Sequence, residues 1–296
     1  MNGPDSDNLP TVAQALQHAR AAGLERLDAQ RLLARQLRCR REWLIAHDDA
    51  LLAAADQQAF DASVQQRAAG VPLAYLLGER EFHGLALHVG PSVLVPRPET
   101  EGLVDWALER LAASADGPAP TIADLGTGSG AIAIALAVAL ARQGTSARIC
   151  ASDLSPQALQ VARQNAVRHA VEIEFVSGRW WQPLAGRRFD LVVANPPYIA
   201  ADDPHLPALS HEPLLALSPG GDGLDALREI AQGALAHLKP GGALLLEHGF
   251  DQGAAVRGLL AAAGLMPLGT RTDLAGLDRC SGGRASGSAA MPQNPG

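Results

Sequence analysis

Leucine, alanine and valine recur every three or four positions through residues 11–22, 27–37, 42–52 and 56–69, a spacing that predicts amphipathic helices. Thr11 and Asp56 stand where N-caps belong. The period changes after residue 77. Residues 84–89 and 93–95 alternate loosely around Gly90-Pro91-Ser92, which predicts a β-hairpin. A helix follows from Pro98 to about residue 113, with proline in its first turn and Glu99 and Glu101 complementing its positive end. Residues 115–120 read as a loop.

From Thr121 onward, short apolar runs alternate with helical patterns. Strands are expected at 121–125, 147–152, 171–176, 189–194, 243–247 and 266–271. Helices are expected at 129–142, 156–169, 224–238 and 254–263. Such alternation means an α/β fold with a doubly wound, parallel or mostly parallel sheet. The chain therefore divides into a small helical domain (1–77), a hairpin linker bridging the domains (78–97), an α/β domain (98–284) and a disordered tail (285–296).

Composition narrows the class. With 296 residues, the chain is long enough for a full α/β core. Its net charge of −7 argues against direct DNA binding, which calls for a basic footprint. The densest basic group, Arg35, Arg38, Arg40 and Arg41, is best read as a solvated surface. The 3 cysteines, Cys39, Cys150 and Cys280, are scattered and form neither a disulfide framework nor a metal-ligand spacing. The histidines show no paired spacing either, so no metal is expected. The acidic start is unlike a signal peptide, and the apolar run 131–141 is too short to span a bilayer. A cytoplasmic protein with no membrane association is expected.

Three places carry chemistry. Asp124-Leu125-Gly126-Thr127-Gly128-Ser129-Gly130 closes the first strand of the sheet and opens a helix. Glycines there let the backbone approach a ligand, and the helix start offers free N–H groups to an anion. Gly126, Gly128 and Ala131 also satisfy a dinucleotide fingerprint, so the turn alone leaves two cofactor classes open. Asp153, at the end of the next strand, is placed to bind a ribose, which both classes contain, or to cap the following helix, a task Ser155 could also perform. Trp180 offers a flat wall for an adenine, whereas Trp181 is read as core.

Asn195-Pro196-Pro197-Tyr198 decides between the classes. It follows the apolar strand 189–194, and its two prolines stiffen an extended backbone. The asparagine side-chain oxygen and a proline carbonyl can together accept both hydrogens of one planar NH2 group. The nitrogen's π face then stays open toward an electrophile, and Tyr198 can pack on the flat group. Nothing in the tetrad would polarise a carbonyl for hydride transfer.

This tetrad resembles the one found in S-adenosylmethionine-dependent methyltransferases that act on amide or exocyclic amino nitrogens. The wider chain is similar to the release factor glutamine methyltransferases, the PrmC/HemK family. The likeness rests on Pro72-Leu73-Ala74-Tyr75-Leu76-Leu77-Gly78-Glu79-Arg80-Glu81-Phe82, Pro96-Arg97-Pro98-Glu99-Thr100-Glu101 (similar to the family's loop beside the methyl-transfer site), Asp203-Pro204-His205-Leu206, Glu212-Pro213 with Ala216-Leu217, Gly223-Leu224-Asp225, Leu244-Leu245-Leu246-Glu247-His248-Gly249 and Asp273-Leu274-Ala275-Gly276. It covers about residues 10–284.

The resemblance implies a Rossmann-like class I methyltransferase sheet with S-adenosylmethionine as cofactor and S-adenosylhomocysteine as product. It implies that Gly126, Thr127, Gly128, Ser129, Gly130, Asp153, Trp180 and Asn195 hold the cofactor, and that Asn195, Pro196, Pro197 and Tyr198 hold a glutamine amide. The implied substrate is the Gly-Gly-Gln glutamine of class I peptide chain release factors. The alternatives are a ribosomal-protein glutamine or an adenine N6 of a nucleic acid. Two departures stand out. Arg179 occupies a position where the family often has an acidic residue, and it cannot accept a hydrogen bond from an adenine amino group. The segment Arg279-Cys280-Ser281-Gly282-Gly283-Arg284 is less apolar than expected, which predicts a loosely ordered edge strand.

Overall fold

The computed structural model describes residues 9–113 and 118–287. The chain forms two compact units, Met1–Glu79 and Arg80–Gly296.

The first unit is helical: α1 (Val12–Ala21), α2 (Arg26–Gln36), α3 (Arg41–Ala46), α4 (Ala54–Ala68) and α5 (Leu73–Leu77). Thr11 caps α1 in a reciprocal box with Gln14, as expected. The apolar stripes of α1, α2 and α4 meet in a core of Val12, Ala15, Leu32, Leu33, Leu44, Phe60 and Val64. Two expectations fail here. The helix expected over 42–52 ends at Ala46, because the carbonyls of Asp48 and Ala50 are taken by the free N–H groups at the start of α1 (2.8 and 2.9 Å). Asp56 is no cap, since α4 begins at Ala54 and Asp56 instead accepts a bond from Gln36 on α2 at 2.9 Å. Arg35, Arg38, Arg40 and Arg41 are all exposed.

The hairpin pairs β1 (Glu79–Phe82) with β2 (Leu85–His88). It begins one strand earlier than the sequence reading placed it. His83 and Gly84 both take positive φ (50° and 74°), the conformation a two-residue hairpin turn requires. Residues 93–95 form no strand, because the N–H of Val95 is bonded by the buried Glu212 carboxylate at 3.0 Å.

After α6 (Glu101–Ala112) comes the sheet: β3 (Thr121–Leu125), β4 (Arg148–Asp153), β5 (Glu174–Ser177), β6 (Phe189–Ala194), β7 (Leu238–Glu247), β8 (Met266–Thr272) and β9 (Asp278–Arg284). Its spatial order is β5-β4-β3-β6-β7-β9-β8. The strands β3 to β7 run parallel, and β9 is antiparallel to both neighbours. The longer helices within this run are α7 (Ala131–Arg142), α8 (Pro156–Arg168), α10 (Asp225–His237) and α11 (Gly253–Ala262), with the short α9 (Leu214–Leu217) before α10. Alternate residues of the central strands enter two separate cores. Ile122, Val193 and Leu245 pack with Trp106, Ile134 and Leu136 on one face. Leu125, Val192 and Leu244 pack with Ile230, Ala231 and Val256 on the other.

The strand β9 corrects the expectation of a loose edge. It lies between β7 and β8, with Cys280 and Ser281 buried. Its low apolarity has a packing cause. A side chain at Gly282 would come within 2.7 Å of both Leu245 and Trp106, and one at Gly283 within 2.8 Å of Leu265. The neighbours supply the apolar surface that this strand lacks. The tail expected from Ala285 lies outside the described residues from 288 onward, whereas Ala285 itself is buried and donates to the Gly242 carbonyl at 2.8 Å. Residues 114–117 of the expected loop also lie outside the described residues.

The chain order β3-β4-β5 runs one way across the sheet and β6-β7 the other. The carboxyl ends of β3 and β6 therefore flank the point where open α/β sheets bind ligands. Register pairs Leu125 with Ala194, so the glycine turn and the Asn195 tetrad leave the sheet side by side.

Candidate active site

The glycine turn is built by its neighbours. The N–H groups of Gly126 and Thr127 both bond the Ser152 carbonyl of β4 (2.8 and 2.9 Å), and the Thr127 hydroxyl donates to the buried Asp124 at 2.6 Å. Gly126, Gly128 and Gly130 all have positive φ (74°, 56° and 83°), so each position favours glycine. Gly126 leaves room for the Trp180 ring, whose nearest atom would lie 3.0 Å from an added Cβ. Gly130 faces the other way, against Ile134 and Ala162, where it seats α7 on α8.

Asp153 serves the turn as well as the cavity. One oxygen accepts the Gly128 N–H and the other the Ser155 N–H, both at 2.8 Å. Burial raises its pKa, opposed by these backbone bonds. The N-cap of α8 is Ser155, which accepts from Ala158 at 3.2 Å. Trp180 sits in the left-handed region at φ 44°, a conformation that costs roughly 1–3 kcal/mol and recurs at ligand clamps. Its Nε1 is buried and has no partner among the described residues. Trp181 is core, with its N–H donated to the Ile230 carbonyl at 3.1 Å. Arg179 turns to Glu229 on α10, with its Nε 2.9 and 3.0 Å from the two carboxylate oxygens.

In the tetrad, Asn195 donates from Nδ2 to the Thr100 hydroxyl at 3.2 Å, and the residue lines the cavity described below. Pro196 is buried. The Tyr198 ring packs into the core, and its hydroxyl donates to Glu247 at 3.4 Å. Burial drives the Tyr198 pKa upward, so the phenol stays protonated. The Tyr198 carbonyl accepts from Gln252 at 3.0 Å, and a side chain at Gly223 would come within 2.4 Å of that carbonyl oxygen. The segment after the tetrad thus fixes its backbone.

One cavity of about 290 Å³ gathers Gly126, Thr127, Gly128, Ser129, Asp153, Trp180, Asn195 and Pro197. Gly130, Pro196 and Tyr198 stand behind it and do not line it. The sequence reading missed Leu154 and Leu215, which line the cavity; it had Arg97 and Thr100, which also line it, and Glu212 and Glu247, which brace it, only within blocks of family resemblance and gave none of them a role of its own. Glu212 is bonded by both Arg97 and the Val95 N–H, and so ties the loop before α6 to the segment after the tetrad. Glu247 was legible by the rule that picks out Asp153: it is an acidic residue ending an apolar strand at the ligand-binding end of the sheet.

The cavity fits a sulfonium nucleoside with an amino-acid tail. Asp153 would accept from a ribose, and the Trp180 ring would form a flat wall beside it. Ala131 and Ile132 line the cavity at the start of α7, where helix N–H groups have no intrahelical partner and suit a carboxylate. Among the described residues, no cluster of metal-ligating side chains is present.

Comparison with known proteins agrees with this geometry. The family model "PrmC N-terminal domain" matches residues 11–78, and "Methyltransferase small domain" matches residues 103–222. A release factor glutamine methyltransferase of Xylella fastidiosa is 50% identical over 276 residues, covering 92% of this chain and 98% of the relative. The one from Burkholderia pseudomallei is 47% identical over 287 residues, covering 94% and 98%. A solved 16S rRNA methyltransferase from T. Thermophilus, in complex with AdoMet and guanosine, shares the fold at TM-score 0.51 and 19% identity, covering 70% of this chain and 49% of that one. Sharing half of its residues with such a relative across nearly its whole length, the chain belongs to the release factor glutamine methyltransferase family and is an S-adenosylmethionine-dependent enzyme.

Proposed function

We propose that this enzyme methylates the side-chain amide nitrogen (N5) of the glutamine in the Gly-Gly-Gln motif of class I peptide chain release factors. The observation that carries the reading is the Asn195 carboxamide. One of its N–H groups is donated to Thr100, which holds the carboxamide at the cavity wall, and its oxygen is the acceptor that can meet a substrate NH2. With a proline carbonyl of the tetrad, that oxygen can accept both hydrogens of a glutamine NH2 and hold the nitrogen's π face toward the cavity. S-adenosylmethionine supplies the activated methyl group there, leaving as S-adenosylhomocysteine.

An amide nitrogen is a poor nucleophile, because its lone pair is delocalised into the carbonyl. Asn195 and a tetrad proline carbonyl favour the more pyramidal nitrogen of the transition state by gripping its hydrogens. Alignment of this kind supplies up to about 7–11 kcal/mol in the best cases. The nitrogen sheds its extra proton after the transfer. The net charge of −7 speaks against a nucleic acid as the usual substrate. Release factors act in translation, so the same reading puts the enzyme in the cytoplasm. Among the described residues, no helix is long and apolar enough to cross a membrane.

The test is methyl transfer from labelled cofactor to a release factor, a ribosomal protein or DNA, with the label located by mass spectrometry. Label on the Gly-Gly-Gln glutamine is expected, and label only on DNA refutes the reading. Asn195→Ala should abolish turnover while retaining cofactor binding.

A further inference from the structure

Two turns at the carboxyl end of the sheet hold large apolar side chains out in solvent. The first follows β7. The Gln252 N–H bonds back to the Gly249 carbonyl at 2.9 Å. The Gln252 side chain accepts the Gly249 N–H at 2.9 Å and donates to the Tyr198 carbonyl of the tetrad at 3.0 Å. Phe250 lies inside this turn and is 60% exposed. The second turn joins β8 to β9. Asp273 accepts the N–H groups of Ala275 and Leu277 (2.9 and 3.1 Å) and a guanidinium N–H of Arg279 (3.0 Å). The Asp273 side chain is nearly buried by these bonds, yet Leu274 beside it is wholly exposed.

The topology sets both turns in line with the tetrad. Strands β7 and β8 both run antiparallel to β9, so they end on the same side, where Asn195 leaves β6. Along that edge the order is Asn195 after β6, Phe250 after β7 and Leu274 after β8. Neither Phe250 nor Leu274 lines the cavity, whose residues at the strand ends follow β3, β4, β5 and β6. Neighbouring strands lie about 4.8 Å apart. Leu274, three strands from β6, is therefore roughly 14 Å from the tetrad, the reach of about four extended residues.

A lone exposed leucine is ordinary on a protein surface. Here two turns are each locked by hydrogen bonds, at a cost in conformational entropy, without burying the apolar side chain that each carries. Apolar groups held out in this way, beside a site, mark a surface that a partner covers. We propose that Phe250 and Leu274 form a docking rim for the stretch of substrate protein that flanks the methylated glutamine. This rests on the reading of the Asn195 tetrad as the grip on that glutamine. A Gly-Gly-Gln segment has no apolar side chain of its own with which to bind. Its glutamine enters at Asn195, and the cofactor fills the side of β3 to β5. The flanking residues leave over β7 and β9, where an apolar side chain about four residues from the glutamine meets the rim. The enzyme thereby selects its substrate by residues beyond the motif.

The test compares wild type with Phe250→Ser, Leu274→Ser and the double variant. Steady-state methylation of intact release factor, S-adenosylhomocysteine affinity by calorimetry and melting temperature are measured. The double variant should raise KM for release factor roughly 10- to 100-fold, the loss expected when two apolar contacts are partly buried on binding. Its kcat, cofactor affinity and melting temperature should stay near wild type. An unchanged KM overturns the docking role. If Phe250→Ser melts early, Leu274→Ser carries the test alone, because its side chain packs on nothing. A photo-reactive p-benzoylphenylalanine in place of Leu274 should crosslink to release factor within about five residues of the glutamine. Crosslinks only elsewhere, or none, overturn the proposal. So does a wild-type dimer in sedimentation that the double variant loses, which would assign the rim to a second copy of this chain. Failure of the wild-type enzyme to methylate release factor at all overturns the underlying reading of the tetrad instead.

Discussion

Asn165, buried within α8, donates its side-chain amide to the Ser129 carbonyl in the glycine turn at 2.9 Å. The same side chain also pairs with the backbone of His88 in the hairpin, accepting its N–H at 2.6 Å and donating to its carbonyl at 3.0 Å. A single carboxamide therefore fastens the hairpin and the cofactor turn to one helix. Asn165→Ala leaves the buried Ser129 carbonyl and two half-buried backbone groups of His88 without this partner, and loss of a buried partner costs about 1–3 kcal/mol. The variant should lose at least about 2 kcal/mol in urea unfolding and bind S-adenosylhomocysteine more weakly. Wild-type values in both measurements would show that the fastening is dispensable.

The glycines of the turn should separate by function. An alanine at Gly126 pushes on Trp180 from 3.0 Å, so its main effect should be on nucleoside binding. An alanine at Gly130 meets Ile134 at 2.8 Å and the Ala162 Cβ at 3.2 Å, so it should force α7 from α8. Overpacking of that kind costs about 1–3 kcal/mol beyond the left-handed backbone strain. Gly130→Ala is therefore expected to show the larger drop in melting temperature, and Gly126→Ala the larger rise in cofactor Kd. The opposite ranking would contradict the roles given to the two residues.

Asp124 predicts a pH effect on stability. It is fully buried, and desolvation lifts its pKa to about 7, against the bond from Thr127. Between 3.8 and about 7 the folded chain holds a proton that the unfolded chain has released. Stability from this group is thus highest in acid and falls as pH rises, by at most about 1.4 kcal/mol per pH unit. Asp124→Asn removes that dependence. The variant should gain on wild type as pH climbs from 4 to 7.5 in denaturant titrations, and a pH-independent difference would show that Asp124 does not titrate in this window.

The parts of the site that could be read in the sequence are those written in consecutive residues. The strand Phe189–Ala194 is apolar except for Asp190 and is stopped by Asn195 and two prolines, and the turn from Gly126 to Gly130 is punctuated by glycine. What braces them was harder to read, because it comes from far along the chain. Thr100 reaches Asn195 from 95 positions away, Glu247 reaches Tyr198 from 49, and Glu212 holds Val95 from 117. No periodicity announces a lone polar side chain that will be buried. The hairpin register depended on His83 taking a positive φ, and a histidine gives little warning of that. The position of β9 was hidden for a related reason: a strand whose neighbours fill its glycines carries no apolar signature.

That strand has a consequence for how the protein is made. Because β9 slots between β7 and β8, the sheet is completed only when residues 278–284 arrive, after β8 has been made. Until those residues emerge, β7 has nothing on its outer side, and β8 has no strand to join it to the rest. Residues 245 and 106 meanwhile lack the backbone they close upon. A polypeptide stopped short at residue 277 would expose an unpaired parallel strand, an invitation to self-association rather than a slightly trimmed enzyme.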